Sequence, residues 1–143
     1  MSIINWSKWY QFNQQSINTH VPDSPGCYEI RTDYIFGRLK GYSQTVYIGS
    51  AEKLKQRLGN RLNDPDRNRT LEEQRLIQKG HTFEFRYAKA RGEAGENQDK
   101  VEIQMENEAL TEYVMEYCEL PPCNRVFPKK VQKALMQEWK LSS

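Results

Sequence analysis

Two segments with strand-like alternation, followed directly by a leucine-striped helix, constrain the fold of this chain more than any other feature. Residues 27–31 and 44–49 alternate apolar and polar side chains, as half-buried strands do. Over residues 51–62, leucines recur at i, i+4 and i+8, which gives a helix one apolar stripe. The order predicts an antiparallel strand pair whose second strand leads straight into a helix that packs on it.

The remaining patterns complete a small α+β domain. We predict a three-stranded, largely antiparallel sheet flanked by helices, because one further segment alternates and four others have helical spacing or helix-ending residues. A chain of 143 residues fits one domain, with a core at about residues 21–126. The additional predicted elements are a strand over 82–88, an N-terminal helix over 5–18, helices over 70–79 and 100–119, and a basic C-terminal helix over 129–140.

Composition points to a reduced, non-membrane protein. No apolar run reaches membrane-spanning length, and the first residues lack the basic-then-apolar pattern of a secretory signal. The cysteines, Cys27, Cys118 and Cys123, are odd in number and form no CxxC pair, which favours free thiols over a disulfide framework or a zinc site. We therefore expect a cytoplasmic location and no membrane partner.

Charge is unevenly divided along the chain. Residues 1–92 carry 15 Lys and Arg against 9 Asp and Glu, a net +6, and residues 125–143 carry 5 against 1, a net +4. Residues 93–124 carry 1 against 9, a net −8. A basic body with one acidic stretch suits a protein that binds a polyanion and holds carboxylates for a cation. Charge alone leaves solvated helix faces equally open.

Two pairs of charged residues share helix faces. Arg57 and Arg61 stand at i and i+4, so both guanidinium groups project from one side and could grip a phosphate. Glu108 and Glu112 are likewise i and i+4, and carboxylate oxygens are ligands that Mg²⁺ prefers. Without further support, a solvated acidic face would be the simpler interpretation of the glutamates.

Several short motifs occur in a fixed order. Gly26-Cys-Tyr28 and Tyr47-Ile-Gly49 are followed by Arg57, then by the glutamate helix and by Pro121-x-x-Asn124. Over about residues 21–126 this order and spacing resemble the GIY-YIG nucleases, which include the incision nuclease of bacterial nucleotide-excision repair and restriction and homing endonucleases. Cys27 replaces the isoleucine of the first motif.

The resemblance implies a metal-dependent endonuclease that hydrolyses phosphodiester bonds in DNA, with Mg²⁺ or Mn²⁺ as cofactor. RNA stays open as a substrate, and so does the choice between a monomer and a homodimer. Tyr28 is the stronger candidate for the base and Tyr47 for orienting water or phosphate. The remaining implied roles are metal binding by Glu112, with Glu108 as second choice, phosphate binding by Arg57, bracing by Asn124, and support from Gly49 and Arg61.

The sequence departs from the family pattern at two places. Arg61 stands where many relatives have His or Tyr, and it cannot exchange protons at neutral pH, so it could bind phosphate instead. The connection between the signature tyrosines spans 19 positions and is longer than in the repair enzymes. It carries Arg38 and Lys40, which could contact DNA or belong to an extended surface hairpin, and Lys129 and Lys130 offer a second basic surface.

Two other functions remain open at this stage. A nucleic-acid-binding module on the same scaffold could have lost cleavage, although both tyrosines, Arg57, Glu112 and Asn124 are retained. A protein-interaction domain with chance motif matches is the other, and the ordered spacing speaks against it.

Overall fold

The structure, a computed structural model, describes residues 4–63 and 71–142. In this part of the chain, helices lie on both faces of an antiparallel sheet with strand order β1-β4-β2-β3. The elements in chain order are β1 (Tyr10–Gln11), α1 (Gln14–His20), β2 (Gly26–Gly37), β3 (Tyr42–Ala51), α2 (Leu54–Asn63), α3 (Leu71–Gln78), β4 (Phe83–Lys89), α4 (Val101–Tyr117) and α5 (Lys129–Ser142).

The predicted α+β class is confirmed, but the sheet has four strands rather than three. The fourth is β1, where Tyr10 pairs with Phe85 of β4. The helix predicted over 5–18 is therefore wrong in its first half. Asn13 determines the helix start, because its side chain accepts a hydrogen bond from the Ser16 N–H at 2.8 Å and caps α1 there.

The tryptophans ahead of β1 take part in cation–π contacts instead of forming a helix face. The Arg86 guanidinium lies 4.4 Å from the Trp6 ring centre, and the Arg31 guanidinium lies 4.0 Å from the Trp9 ring centre. Glu29, buried on the same face of the sheet, pairs with Arg86 at 2.5 Å. The N-terminal segment thus covers charged side chains of the sheet that would otherwise face water.

The strand pair β2–β3 holds the centre and one edge of the sheet. Tyr28 of β2 lies opposite Gly49 of β3, and Ile30 lies opposite Tyr47. On its other side β2 pairs with β4, so Tyr28 is flanked by two strands. Opposed residues share a face, which places both signature tyrosines on the same side of the sheet.

Each face of the sheet has its own apolar core. On the face of Tyr28, the leucine stripe of α2, Leu54 and Leu58, packs with Ile17 of α1. On the opposite face, Ile48 packs against α4 and α5 through Leu110 and Val131. The glutamate-bearing helix α4 and the arginine-bearing helix α2 therefore lie on opposite faces and approach each other only where β3 ends.

The tip of the β2–β3 hairpin is tied to the end of α4. The Lys40 N–H donates to the Tyr117 carbonyl at 3.1 Å, and Arg38 forms an ion pair with Glu119. Gly41 turns the chain here with a positive φ of 75°. None of the helices described in 4–63 and 71–142 combines the length and the apolar character needed to cross a membrane.

Candidate active site at the end of the third strand

Tyr28 and Tyr47 stand side by side over Gly49. Their ring centroids are 6.0 Å apart. A Cβ atom added at Gly49 would lie 2.8 Å from the Tyr28 hydroxyl and 2.6 Å from a Tyr47 ring carbon. Only a glycine leaves room for the Tyr28 hydroxyl at this position, so packing explains why the second motif ends in glycine.

Both phenols are held in their neutral form. Burial raises the pKa of Tyr28 above its usual range, and the neighbouring Tyr47 raises it further. Burial also raises the pKa of Tyr47. The positive charges of Arg57 and Arg61 lower both pKa values without reversing the shift. At neutral pH each hydroxyl therefore acts first as a hydrogen-bond donor.

The two tyrosines differ in access. The Tyr28 side chain is almost fully buried, with 1% of its surface exposed, whereas Tyr47 is half-buried. Tyr47 is therefore better placed than Tyr28 to contact solvent water.

The two arginines of α2 lie in different environments. Arg57 is exposed and lines a cavity at the end of β3. Arg61 is buried, lies 4.2 Å from the Tyr47 ring centre and pairs with the buried Glu73 of α3 at 2.5 Å. Burial lowers the pKa of Arg61, but the neighbouring Tyr28, Glu73 and Tyr47 outweigh this effect and raise it overall. Arg57 thus faces a potential ligand, and Arg61 is a fixed positive charge behind Tyr47.

Glu106 of α4 is a carboxylate whose charge influences both tyrosines. Burial raises its pKa, and hydrogen bonds with the Ser50 hydroxyl and backbone oppose that rise, as does the charge of Arg57. Its negative charge in turn raises the pKa of both tyrosines. Burial raises the pKa of the Cys27 thiol to about 12, and the negative charge of Glu106 contributes to this rise.

The structure does not bring Glu108 or Glu112 to this site. Glu112 is exposed, and Glu108 lines a different cavity beside Lys89 and Arg91. Helix geometry is the reason, since six residues from Glu106 to Glu112 turn about 240° around the axis at 3.6 residues per turn.

A signal for Glu106 is present in the sequence. Positions 106, 110, 113 and 117 fall at i, i+4, i+7 and i+11, so Glu106 continues the stripe of the buried Leu110 and Tyr113. Periodicity alone therefore places Glu106 on the sheet-facing side of the helix, and Glu112 on the other.

Asn124, which follows α4 in the chain, is hydrogen-bonded to the backbone of β3. The Ile48 N–H donates to Asn124 Oδ1 at 3.0 Å, and Asn124 Nδ2 donates to the Ile48 carbonyl at 2.9 Å. The adjacent Cys123 N–H donates to the Val46 carbonyl at 2.8 Å. These bonds occupy the free edge of β3 at Val46 and at Ile48, which lies between the signature residues Tyr47 and Gly49, and they hold that strand in place.

A cavity of about 580 Å³ opens where β3, α2 and α4 converge. Ser50 lies at the end of β3, Lys53 and Arg57 come from the α2 side, and Lys100 and Glu102 come from the start of α4. Lys100 forms an ion pair with Glu52 at the rim. The cavity thus combines basic and acidic groups directly beside the Ser50–Glu106 contact.

The other predicted nucleic-acid contacts lie on separate elements. Arg38 is largely buried by its pair with Glu119, while Lys40 is exposed at the hairpin tip. Lys129 is exposed at the start of α5, and Lys130 pairs with Asp99 at 2.5 Å.

The residues described contain no group of three or more His, Cys, Asp or Glu side chains placed to hold a metal ion. Any cation here would have few protein ligands. That is usual for Mg²⁺, which keeps several waters and uses one or two carboxylates. Glu106 is a partly buried carboxylate in a polar setting and fits such a role.

Comparisons of the chain with protein-family models, curated proteins and solved structures found no match. The resemblance to the GIY-YIG nucleases therefore depends on the sequence motifs alone.

Proposed function

We propose that this protein is a metal-dependent endonuclease that hydrolyses phosphodiester bonds in DNA. The observation that carries the proposal is that a buried and a half-buried tyrosine, two arginines and one carboxylate influence one another at the end of β3, next to a cavity lined by both basic and acidic groups. Hydrolysis needs a positioned water, positive charge on the phosphate oxygens and help for the leaving alkoxide. These groups have the chemistry for each requirement.

Arg57 is the group that would hold the scissile phosphate. It is exposed on the cavity wall and can donate two hydrogen bonds to non-bridging oxygens. Lys53, immediately before α2 begins, adds positive charge along the path of the backbone.

The tyrosines would position the attacking water and the phosphate. Because both hydroxyls are protonated at neutral pH, they donate hydrogen bonds in the resting state. Tyr47, the more open of the two, is the better placed to contact water. Arg61, whose charge lies against the Tyr47 ring, would stabilise a phenolate if the proton leaves.

Glu106 would hold the divalent cation in place of the predicted Glu112. When bound, the cation supplies charge neutralisation on the phosphate and stabilisation of the leaving oxygen. Ser50 orients the Glu106 carboxylate through its hydroxyl and backbone.

Nicking of supercoiled plasmid with Mg²⁺ tests this proposal. Wild type should nick, and Glu106→Gln should lower the rate by about 10²-fold or more, the usual cost of losing a charge-stabilising group. Glu116→Gln, an exposed position on the same helix, is the matched control and should keep wild-type activity.

Glu112→Gln distinguishes the structural assignment from the family spacing. If Glu112→Gln is inactive and Glu106→Gln active, the cation site assigned here is wrong. If wild type leaves plasmid, branched DNA and RNA intact with Mg²⁺ and Mn²⁺ yet binds DNA with a strong dependence on salt, the protein is a binding module that does not cleave.

A further inference from the structure

Glu102 is a buried carboxylate that is not among the residues proposed to act on the phosphate. It lies in the first turn of α4 with 5% of its surface exposed, and it lines the cavity of about 580 Å³ shared with Arg57. Within residues 4–63 and 71–142, its carboxylate has neither a hydrogen bond nor an ion pair, and its oxygens border the open space of the cavity. Buried acidic groups are almost always paired, so this one is unusual.

Glu102 and Glu106 share one face of α4. The two residues stand at i and i+4 on α4, so their side chains project from the same face of the helix, one turn apart. Glu106 contacts Ser50, and Ser50 lines the same cavity as Glu102. Both carboxylates therefore border one region, at the end of β3.

The charges of the cavity are divided between its walls. The Glu102 carboxylate comes from α4, whereas Arg57 comes from α2 and Lys53 from the residue just before it. Lys100, the basic residue on the α4 side, is paired with Glu52 at the rim. A divalent cation on the α4 side and a phosphate on the α2 side would match both walls.

We propose that Glu102 is a second carboxylate ligand, together with Glu106, for one divalent cation bound on the α4 side of this cavity. The inference rests on the proposed function for the presence of the cation, and adds a ligand that the family spacing does not include. Two carboxylates with the remaining positions filled by water and phosphate is a usual environment for Mg²⁺.

Binding of Mn²⁺ alone, followed by electron paramagnetic resonance without nucleic acid, tests the proposal. Wild type should bind one Mn²⁺. Glu102→Gln should raise the Kd about tenfold or more, since even indirect loss of ligand support costs about that factor. Glu116→Gln should bind as wild type does. Equal affinity of Glu102→Gln and wild type, or no Mn²⁺ binding by wild type, overturns the proposal.

Thermal unfolding provides a readout that does not depend on activity. In EDTA, Glu102→Gln should lose no more than about 1 kcal/mol, the contribution of a carboxylate in the first turn of a helix. Mn²⁺ should raise the Tm of wild type and raise that of Glu102→Gln much less. A variant destabilised in EDTA by about 2 kcal/mol or more contradicts the proposal, since a structural role for the carboxylate would then explain its burial.

Failure of this inference and failure of the nuclease proposal give different results. If wild type binds Mn²⁺ through Glu102 but does not cleave, the cation site stands and the nuclease proposal is wrong. If wild type cleaves while Glu102→Gln has unchanged Mn²⁺ affinity, the nuclease proposal stands and Glu102 is not a ligand.

Discussion

Gly49 is the residue at which the two signature tyrosines meet. The Tyr28 hydroxyl fills the space where any larger residue would place its Cβ, and the Tyr47 ring closes the same space from the strand itself. Tyr28 can therefore lie this deep in the fold only because Gly49, its partner across the strand pair, has no side chain. The same contact keeps the hydroxyl directed toward the end of β3, where Arg57 and Glu106 act on its pKa.

Gly49→Ala should destabilise the protein by about 2 kcal/mol, because the added methyl group overpacks a site with no room to relax. Urea unfolding measures the change. Gly59→Ala is the matched control: its added Cβ has nothing within 4 Å, and Gly59 lies inside α2. That control should gain about 0.5–1 kcal/mol from helix propensity. A Gly49→Ala protein as stable as wild type would contradict the packing described for Tyr28.

The raised pKa of Tyr28 makes stability depend on alkaline pH. The native state keeps the phenol proton at pH values where the unfolded chain, with a tyrosine pKa of about 10, releases it. This contribution is fully present below pH 10 and is lost as the pH rises toward the folded pKa, at up to about 1.4 kcal/mol per pH unit. Cys27 acts in the same direction, since its pKa is raised as well.

Tyr28→Phe should therefore lose less stability than wild type between about pH 10 and 11.5, because one of the titrating groups is gone. Urea midpoints at several pH values measure the slopes, and the Cys27 contribution cancels in the comparison. Tyr42→Phe, which removes a phenol from a 75% exposed side chain, should retain the wild-type slope. Equal slopes for Tyr28→Phe and wild type would show that Tyr28 ionises normally.

At the scale of elements, local pattern predicted what lies on one helix or strand, and non-local pairing decided the rest. The strands at 27–31 and 44–49 and the helix with Leu54 and Leu58 are confirmed, because alternation and apolar stripes are local signals. Strand β1 has two residues and exists only through its pairing with β4, which no local pattern contains.

The same distinction between local patterns and non-local pairing applies to the site residues. Tyr28, Tyr47 and Arg57 lie together as their motif order suggests, since strand pairing and one helix determine their positions. The acidic helix has glutamates at 102, 106, 108, 112 and 116, so several i, i+4 pairs compete. The family resemblance implies Glu112, whereas the buried stripe of α4 favours Glu106.

Helices α2 and α3 are joined by a buried ion pair that also supplies charge to the site. Arg61 and Glu73 are 7% and 0% exposed in their side chains, and they meet at 2.5 Å. Removing one partner of such a pair is far more costly than removing an exposed one, because the other charge stays in a poorly solvated place. The pair therefore fixes the position of Arg61 against Tyr47.

Glu73→Gln should lower the free energy of unfolding by about 3 kcal/mol. Its neighbour Glu72 is the matched control: its side chain is 59% exposed, it lies 3.8 Å from Arg125, and it belongs to the same helix. Glu72→Gln should cost less than about 1 kcal/mol, as for most surface pairs. Chemical denaturation compares the two variants. Similar losses for both would mean that the buried pair does not stabilise the contact of α2 with α3.

At the scale of the whole molecule, the charge pattern of the chain becomes a spatial division. The acidic segment at 93–124 forms α4 and its preceding loop, and the basic residues of α2 stand across the cavity from it. The net charge of +2 therefore conceals a local concentration of positive charge on the α2 wall. A polyanion would be drawn to that wall, provided that a cation offsets the carboxylates of α4.

DNA affinity should consequently fall steeply with salt, and the α2 wall should account for part of the slope. In a Glu106→Gln background, which prevents turnover, Lys53→Gln should reduce the slope of log K against log salt by about 1, the value for one lost phosphate contact. Lys79→Gln, at an exposed lysine after α3, should leave the slope unchanged. Fluorescence anisotropy with a labelled duplex at several salt concentrations measures both. If Lys129→Gln lowers the slope and Lys53→Gln does not, DNA binds along α5 rather than across the cavity, and the position proposed for the scissile phosphate at Arg57 is wrong.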